Sequence, residues 1–253
     1  MSIARTVMIG ERTVSRIGLG TNRLTDTPEN RDLLRAAAEA GVQMIDTAHL
    51  YTGGESERTI GAVLPELGDD VVVATKGGFR EAKPETLRAE LEQSFASLGV
   101  EQIELYYLHR VDPEVPLEES LGVIAEYRDE GRIAHVGISK VTVEEIERAR
   151  EVVPIAAVQN EYNLAARGDD DVISYCEREG IVFVPYYPLA GDSPALAELA
   201  RKYGATPRQI ALAWLLKRSP AMLPIPGTLS VEHLRENVAA LEIELSDEDF
   251  ERL

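Results

Sequence analysis

The sequence predicts an α/β protein in which eight parallel strands close into a (β/α)8 TIM barrel, preceded by a β-hairpin. The chain has 253 residues, close to the roughly 250 typical of one such barrel. Short β-branched runs alternate along it with longer segments of helical apolar spacing, as in serial βα units. Eight strands, each followed by helical sequence, favour a closed barrel over an open doubly wound sheet. We therefore expect residues 1–253 to form a single domain.

The strands are predicted from β-branched runs bounded by turn residues. A hairpin comes first, with Thr6–Ile9 paired to Thr13–Ser15 across Gly10-Glu11. The barrel strands that follow are predicted at Arg16–Gly20, Gln43–Asp46, Asp70–Thr75, Ile103–Leu108, Ile133–Ile138, Ile155–Gln159, Ile181–Pro185 and Met222–Ile225.

The intervening helices are predicted from their end signals and their apolar spacing. Capping residues or prolines begin helices at Thr27-Pro28, Lys83-Pro84, Val115-Pro116, Val141-Thr142 and Thr206-Pro207. Glycines typical of left-handed caps end helices at Gly41, Gly99, Gly131 and Gly180. One helix carries the apolar stripe Leu87, Leu91, Phe95 and Leu98, which fits packing on a sheet. A short last helix is predicted over Ser246–Leu253, with Ser246 as its cap.

Composition limits the partners and the location of the protein. The chain has 26 Lys and Arg against 44 Asp and Glu, a formal net charge of −18. We expect no binding to nucleic acid or to an anionic membrane, because both require a cationic face. Cys176 is the only cysteine, the first six residues are unlike a secretory signal, and apolar runs such as Ile210–Leu216 are too short to span a bilayer. These features, with no coiled-coil seam, predict a cytoplasmic monomer.

The candidate reactive groups follow the barrel strands, at whose carboxyl ends this fold places its active sites. Asp46 ends the second strand and Tyr51 comes shortly after it, Lys76 follows the third strand, and His109 follows the fourth. A tyrosine hydroxyl, with a pKa near 10, is a weak acid at neutral pH. A buried ammonium lowers that pKa, and a carboxylate keeps the ammonium charged and oriented. With the imidazole directing a carbonyl oxygen, the set predicts protonation of an oxygen that gains negative charge, as in carbonyl reduction.

Each of these residues also has an ordinary structural interpretation. Asp46 could cap a helix or pair with a cation, and His109 could be a satisfied histidine at the rim. Tyr51 alone indicates almost nothing. Only the coincidence of an acid, a phenol, an ammonium and an imidazole at one rim indicates a reactive site.

The chain resembles the aldo-keto reductase family. The resemblance covers essentially the whole sequence, and its motifs occur in the order found in the family. They are Ile45-Asp46-Thr47-Ala48-His49-Leu50-Tyr51, Gly54-Glu55-Ser56-Glu57, Thr75-Lys76, Leu108-His109, Gly137-Ile138-Ser139, Gln159-Asn160-Glu161-Tyr162-Asn163, Tyr186-Tyr187-Pro188-Leu189, Ile225-Pro226-Gly227-Thr228 and Glu236-Asn237.

The resemblance implies direct hydride transfer from a reduced nicotinamide to an aldehyde or ketone. It makes Tyr51 the general acid, Lys76 and Asp46 the partners that tune its pKa, and His109 the group that orients the carbonyl. The family binds its dinucleotide without a Rossmann glycine fingerprint, and this chain has none. The implied cofactor contacts are Ser139 and Gln159 at the carboxamide, Tyr186 on the nicotinamide ring, Leu189 and Gly191 along the pyrophosphate, and Gly227, Thr228, His233, Glu236 and Asn237 toward the adenosine end.

Three departures from the family pattern affect these expectations. Lys140 follows Ser139 where many members have asparagine, which removes one expected carboxamide partner. Gly227 and His233 stand where many members have cations that meet the 2′-phosphate of NADP. We expect NADP(H), with NAD(H) possible, because Thr228 and His233 can still bind phosphate, with help from Arg235 or Arg208. The chain also ends soon after its last helix, so an open pocket for small or planar aldehydes is expected.

Two other functions fit parts of the same pattern. A metal-dependent hydrolase could use Asp46, His49 and His109 as ligands, although Lys76 would place a positive charge beside the metal. We expect no metal site. The main alternative is a non-catalytic nicotinamide-binding redox sensor or regulatory subunit on the same fold, which only a measurement of turnover separates from the enzyme.

Overall fold

A computed structural model describes residues 4–253. The predicted hairpin is present: β1 (Thr6–Ile9) pairs antiparallel with β2 (Arg12–Ser15). Gly10 in its turn has a φ of +56°, and a Cβ there would lie 1.9 Å from the His135 ring, so the turn requires glycine. The hairpin side chains Ile9 and Val14 are buried in the cluster that fills the inside of the barrel. The hairpin therefore closes one end of that interior.

Seven parallel strands pair in chain order in a single sheet. They are β3 (Leu19–Gly20), β4 (Met44–Asp46), β5 (Val72–Gly77), β6 (Ile103–Leu108), β7 (Ile133–Ser139), β8 (Ile155–Gln159) and β9 (Val182–Phe183). The first of these begins at Leu19 rather than at the predicted Arg16, and β5 begins at Val72 and extends to Gly77. The sequence pattern locates the apolar runs, whereas the bounds depend on which backbone groups find a partner in the next strand.

The predicted eighth strand, Met222–Ile225, closes the sheet without forming a regular ladder. Its backbone binds Phe183 at 2.8 Å on one side, and the Pro224 carbonyl accepts from Gly18 N at 3.0 Å on the other. Because Pro224 and Pro226 have no N–H group, the segment can donate few ladder hydrogen bonds. The segment thus joins β9 to β3, and the predicted (β/α)8 barrel with its N-terminal hairpin is confirmed.

Helices lie between consecutive strands and cover the outside of the sheet. They are α1 (Pro28–Glu39), α2 (Glu55–Val63), α3 (Pro84–Leu98), α4 (Leu117–Asp129), α5 (Val143–Val152), α6 (Asp170–Glu179), α7 (Pro194–Tyr203), α8 (Pro207–Arg218), α9 (Val231–Ala239) and α10 (Asp247–Glu251). The predicted caps Thr27, Thr142, Thr206 and Ser246 each accept a hydrogen bond from the third residue after them. Both α7 and α8 lie between β9 and the eighth segment, one helix more than strict alternation gives.

Arg16, which lies between β2 and β3, contacts the end of α8 and the eighth segment. Its guanidinium is 1% exposed and donates to the carbonyls of Met222 and Leu216, both at 2.9 Å, and to that of Ser219. Burial lowers the pKa of Arg16 to about 10, so the group stays charged at neutral pH. Arg16, which the sequence predicted to lie in the first barrel strand, thus connects the closing seam of the barrel, where the eighth segment meets β3, to the helical layer outside it.

Among residues 4–253, none of the helices combines the length and the apolar character that crossing a membrane requires.

Candidate active site

Asp46 and Lys76 meet because they end neighbouring parallel strands. Asp46 is the last residue of β4, and Lys76 stands next to last in β5, which pairs with β4 in register. Lys76 Nζ lies 2.7 Å from Asp46 Oδ1 and donates to the Thr47 carbonyl at 2.6 Å. Both side chains are essentially without solvent exposure. Such a buried pair is destabilised by the loss of either partner, because the remaining charge has no compensation.

A tight turn after β4 brings Tyr51 back over this pair. Tyr51 begins a short 3-10 segment, Tyr51–Gly54, in which Thr52 and Gly53 have φ values of 48° and 65°. The Thr52 hydroxyl donates to the Leu24 carbonyl at 2.8 Å and accepts from Ser56 N at 3.0 Å, which fixes the turn. The Tyr51 hydroxyl consequently lies 3.4 Å from Lys76 Nζ.

The second oxygen of the Asp46 carboxylate is held from across the barrel. Gln159, the last residue of β8, donates from Nε2 to Asp46 Oδ2 at 2.8 Å and is 2% exposed. Asp46 is thus bound at both oxygens, one by Lys76 and one by Gln159. The resemblance assigned Gln159 to the nicotinamide carboxamide, and the structure adds this contact with the buried ion pair.

The pKa of the Tyr51 hydroxyl is raised. Burial is the largest cause, and the positive charge of Lys76 acts against it without reversing it. The sequence predicted the effect of Lys76 with the correct sign, but it did not include the larger effect of burial. Burial is also the largest single effect on Lys76 and opposes its ammonium form, but the charge of Asp46 and the contacts with Asp46 and Tyr51 together outweigh it, so the pKa of Lys76 is raised. The site therefore holds a neutral phenol beside a charged ammonium at neutral pH.

His109 follows β6 and faces Tyr51 at the same rim. The two rings are 6.0 Å apart between centroids and nearly perpendicular, and Phe79 packs on His109 at 4.8 Å. Burial, followed by the charges of Lys76, Lys140 and Arg110, lowers the pKa of His109 to about 2. The imidazole is therefore neutral at any working pH, so it can donate or accept a hydrogen bond but cannot supply a proton as an imidazolium.

A cavity of about 760 Å³ opens above these groups. Asp46, Tyr51 and His109 line it, whereas Lys76 lies behind Asp46 and contributes through its contacts with Asp46 and Tyr51. The predicted cofactor residues that line the same cavity are Ser139, Gln159, Tyr186, Leu189 and Gly227.

The remaining predicted cofactor residues lie beyond the cavity lining. Gly191 has a φ of +97° in the loop after Leu189, and Thr228 follows Gly227 directly. His233, Glu236 and Asn237 lie on α9, which begins just after the eighth segment. Asn237 is 2% exposed, and its Oδ1 is buried without a hydrogen-bond partner among the described residues.

Three cavity residues were not singled out from the sequence as substrate contacts. Phe79 and Tyr187 are aromatic walls, and Lys140 places an ammonium at the rim. Tyr187 is 61% exposed and has a φ of +51°, which is unusual for a residue with a side chain. The position of Phe79 three residues after Lys76, in a loop at the carboxyl end of β5, was the available signal.

The residues proposed for a metal-dependent hydrolase do not come together. His49 Nδ1 points toward Glu57 Oε2 at 3.9 Å, and His49 does not line the cavity that contains His109. Asp46 is already bound by Lys76 and Gln159. No group of three or more His, Cys, Asp or Glu in residues 4–253 has a metal-binding arrangement.

Comparisons with known proteins agree with this architecture. The model of the Aldo/keto reductase family matches residues 16–193 and 192–253. The chain belongs to the aldo-keto reductase family. It is 41% identical over 276 residues to an uncharacterized oxidoreductase of Schizosaccharomyces pombe, covering 100% of this chain and 90% of the relative. It is 36% identical over 273 residues to pyridoxine 4-dehydrogenase of Escherichia coli, covering 97% and 96%.

A solved aldo-keto reductase shares the fold closely. The crystal structure of an aldo-keto reductase from Klebsiella pneumoniae in complex with NADPH superposes with a TM-score of 0.91 at 30% identity, covering 100% of this chain and 94% of that one. The resemblance deduced from the sequence motifs is therefore confirmed, and the protein is an oxidoreductase enzyme of this family.

Proposed function

We propose that this aldo-keto reductase uses NADP(H) to reduce aldehydes and ketones to alcohols by direct hydride transfer, with Tyr51 as the general acid. The observation that supports it best is the contact of the Tyr51 hydroxyl with Lys76 Nζ at 3.4 Å, beneath a cavity that also exposes a neutral His109. A phenol, an ammonium and an uncharged imidazole at one point suit the protonation of a carbonyl oxygen.

The described residues fit a dinucleotide along the cavity and past its end. Ser139, Gln159 and Tyr186 lie near Tyr51, and Gly227 lines the cavity on the side of the eighth segment. Beyond it, the amino terminus of α9 offers free backbone N–H groups suited to phosphate. The unpaired, buried Oδ1 of Asn237 on the same helix is a ready acceptor for an amino group such as that of adenine.

When bound, the reduced nicotinamide would supply the hydride that the carbonyl carbon accepts. The protein residues act on the carbonyl oxygen. Tyr51 O–H donates a hydrogen bond and then its proton to that oxygen as negative charge develops, and the Lys76 ammonium stabilises the phenolate left behind. Asp46, held by Gln159, keeps Lys76 charged and in position.

His109 orients the carbonyl as a neutral hydrogen-bonding group. Burial lowers its pKa to about 2, so the imidazole is uncharged at neutral pH, which supports Tyr51 as the proton donor. Since burial raises the pKa of Tyr51, the phenol is already in the form that reduction needs. Alcohol oxidation requires the phenolate instead, a form that this burial disfavours.

The walls of the cavity favour small or planar carbonyl compounds. Phe79 and Tyr187 present aromatic surface, and Leu50, 37% exposed, adds an aliphatic edge. Flat side chains at the mouth contact a planar ring well, whereas few groups are placed to recognise a bulky, branched ketone.

The test is a set of aldehydes and ketones supplied with NADPH or NADH deuterated at the transferable position. We expect NADPH-dependent turnover and one deuterium on the carbinol carbon of the alcohol. Cofactor binding without turnover of any carbonyl would instead support the non-catalytic sensor, and deuterium lost to solvent would exclude direct transfer.

A further inference from the structure

Lys140 places a positive charge at the rim of the candidate active site. It follows β7 directly and lines the cavity, with Nζ 5.0 Å from the centre of the Phe79 ring and 5.9 Å from that of Tyr186. Its φ of +60° is rare for a residue with a side chain. The ammonium of this residue thus lies beside the aromatic rings of Phe79 and Tyr186.

Among residues 4–253, the charge of Lys140 has no carboxylate partner, unlike that of the other four lysines. The chain has five lysines, and four of them pair with carboxylates: Lys76 with Asp46, Lys83 with Glu81, Lys202 with Asp249 and Lys217 with Asp247. Within residues 4–253, Lys140 forms neither an ion pair nor a side-chain hydrogen bond. In a protein with a net charge of −18, a cation left free at a cavity is available to a ligand.

The other charges around the cavity do not neutralise Lys140. Asp46 is bound by Lys76 and Gln159, and Glu161, although it lines the cavity, is too far from Lys140 to form an ion pair. Arg23 is a second cation on the lining. After burial and Lys76, the charge of Lys140 is the next cause of the low pKa of His109, so its field reaches the His109 imidazole.

We propose that Lys140 makes this enzyme selective for carbonyl substrates that carry a carboxylate. The substrate would lie against Phe79 with its carbonyl oxygen at Tyr51 and its carboxylate at Lys140 Nζ. Lys140 is solvent-exposed, and its ammonium beside the Phe79 ring can donate a charge-assisted hydrogen bond to a carboxylate. The proposal rests on the proposed function, since it names the substrate class of that site.

The experiment compares 4-formylbenzoate with its methyl ester, which share the aldehyde and the ring and differ in charge. kcat/KM for both is measured at saturating NADPH in the wild type and in Lys140→Met. We expect the carboxylate-to-ester ratio to fall about tenfold in Lys140→Met, the size of one charge-assisted hydrogen bond, mainly through KM of the carboxylate. Taking the ratio between proteins cancels the different intrinsic reactivity of the two aldehydes.

Two control variants separate this contact from the charge of the whole protein. Lys140→Arg keeps the charge at the rim and should keep most of the ratio, and the ratio of the wild type should decline with added salt. Lys217→Met removes the same charge from α8, away from the cavity, and should leave the ratio unchanged. The dissociation constant of NADPH, measured in each variant, should also stay unchanged.

The remaining outcomes contradict either the role of Lys140 or the proposed function. An unchanged ratio in Lys140→Met, or an equal loss for both substrates, overturns the role of Lys140 and leaves the proposed function standing. Absence of turnover with either aldehyde in the wild type overturns the proposed function instead. In that case calorimetric titration of wild type and Lys140→Met with both compounds decides whether Lys140 binds the carboxylate.

Discussion

Gln159 Nε2 donates a hydrogen bond of 2.8 Å to Asp46 Oδ2, joining the ends of β8 and β4 across 113 positions of sequence. Since Lys76 holds the other oxygen, the carboxylate cannot rotate without losing a contact to a charged group. Gln159 therefore positions Asp46, which positions Lys76, which contacts the Tyr51 hydroxyl. A residue on the opposite part of the barrel thus helps to set the environment of the proposed acid.

Gln159→Leu should lower the free energy of unfolding by about 2 kcal/mol, because a hydrogen bond to a buried charged group is lost. Urea denaturation at pH 7.5 measures the change. Gln102→Leu is the matched control, since the exposed Gln102 binds only the Gly131 carbonyl, and its effect should stay within about 0.5 kcal/mol. Equal effects of the two variants would show that the Asp46 contact adds nothing to stability.

Tyr51→Phe should reduce kcat by a factor of about 10² to 10⁴, the contribution typical of a positioned general acid. Cofactor affinity should hardly change, because the hydroxyl acts on the carbonyl oxygen in the transition state. Steady-state kinetics and an NADPH titration test the two parts. Tyr187→Phe removes another phenol hydroxyl from the same cavity and should cost less than tenfold in kcat. Comparable losses in both variants would contradict the special role of Tyr51.

The sequence was sufficient to predict the barrel and the meeting of Asp46, Tyr51, Lys76 and His109, because parallel strands in chain order bring their carboxyl ends to one rim. It did not reveal the hydrogen bond from Gln159 to Asp46, which depends on side-chain direction across the barrel. Nor did it give the net shift in the pKa of Tyr51, since the degree of burial emerges only from the packing of distant segments.

The irregular parts of the fold have similar causes. Met222–Ile225 has the apolar pattern of a strand, yet Pro224 within it and Pro226 just after it leave only isolated bridges to the neighbouring strands. The free ammonium of Lys140 could not be foreseen, because a lysine in an acidic chain is expected to find a carboxylate. Which lysines do so depends on the three-dimensional neighbours that the structure describes.

His109 should make the protein less stable in acid. Its pKa is lowered from 6.5 to about 2 in the folded state, so below pH 6.5 the unfolded chain binds a proton that the folded protein does not. Stability is therefore lost as the pH falls from about 6.5, by about 2 kcal/mol at pH 5 from this residue. Urea denaturation of wild type and His109→Gln at pH 7.5 and pH 5 isolates the contribution of His109. Between the two pH values, the free energy of unfolding of the variant should fall by about 2 kcal/mol less than that of the wild type. Identical losses would mean that His109 takes up a proton in the folded protein.

Arg16→Met should destabilise the barrel by about 3 kcal/mol or more, because buried carbonyls of Met222, Leu216 and Ser219 lose their donor. Arg16→Lys should recover only part of this, since one ammonium cannot reproduce the planar fork that reaches all of them. Thermal and urea denaturation provide the measurement. Arg201→Met, at an exposed position of α7, should change stability by less than about 0.5 kcal/mol. A similarly small effect at Arg16 would show that water replaces the guanidinium at the seam.

The cofactor preference should respond to His233, in the first turn of α9. If this position meets the 2′-phosphate, His233→Arg adds a bidentate cation there and should lower the dissociation constant of NADPH about tenfold without affecting NADH. Fluorescence titration with each reduced cofactor at one fixed salt concentration measures both constants. Glu232→Gln changes the charge of the same turn by the same amount without adding a donor fork, so it should strengthen NADPH binding much less. A gain shared equally by NADPH and NADH, or an equal gain in Glu232→Gln, would place the 2′-phosphate away from residue 233 and leave only a general effect of charge.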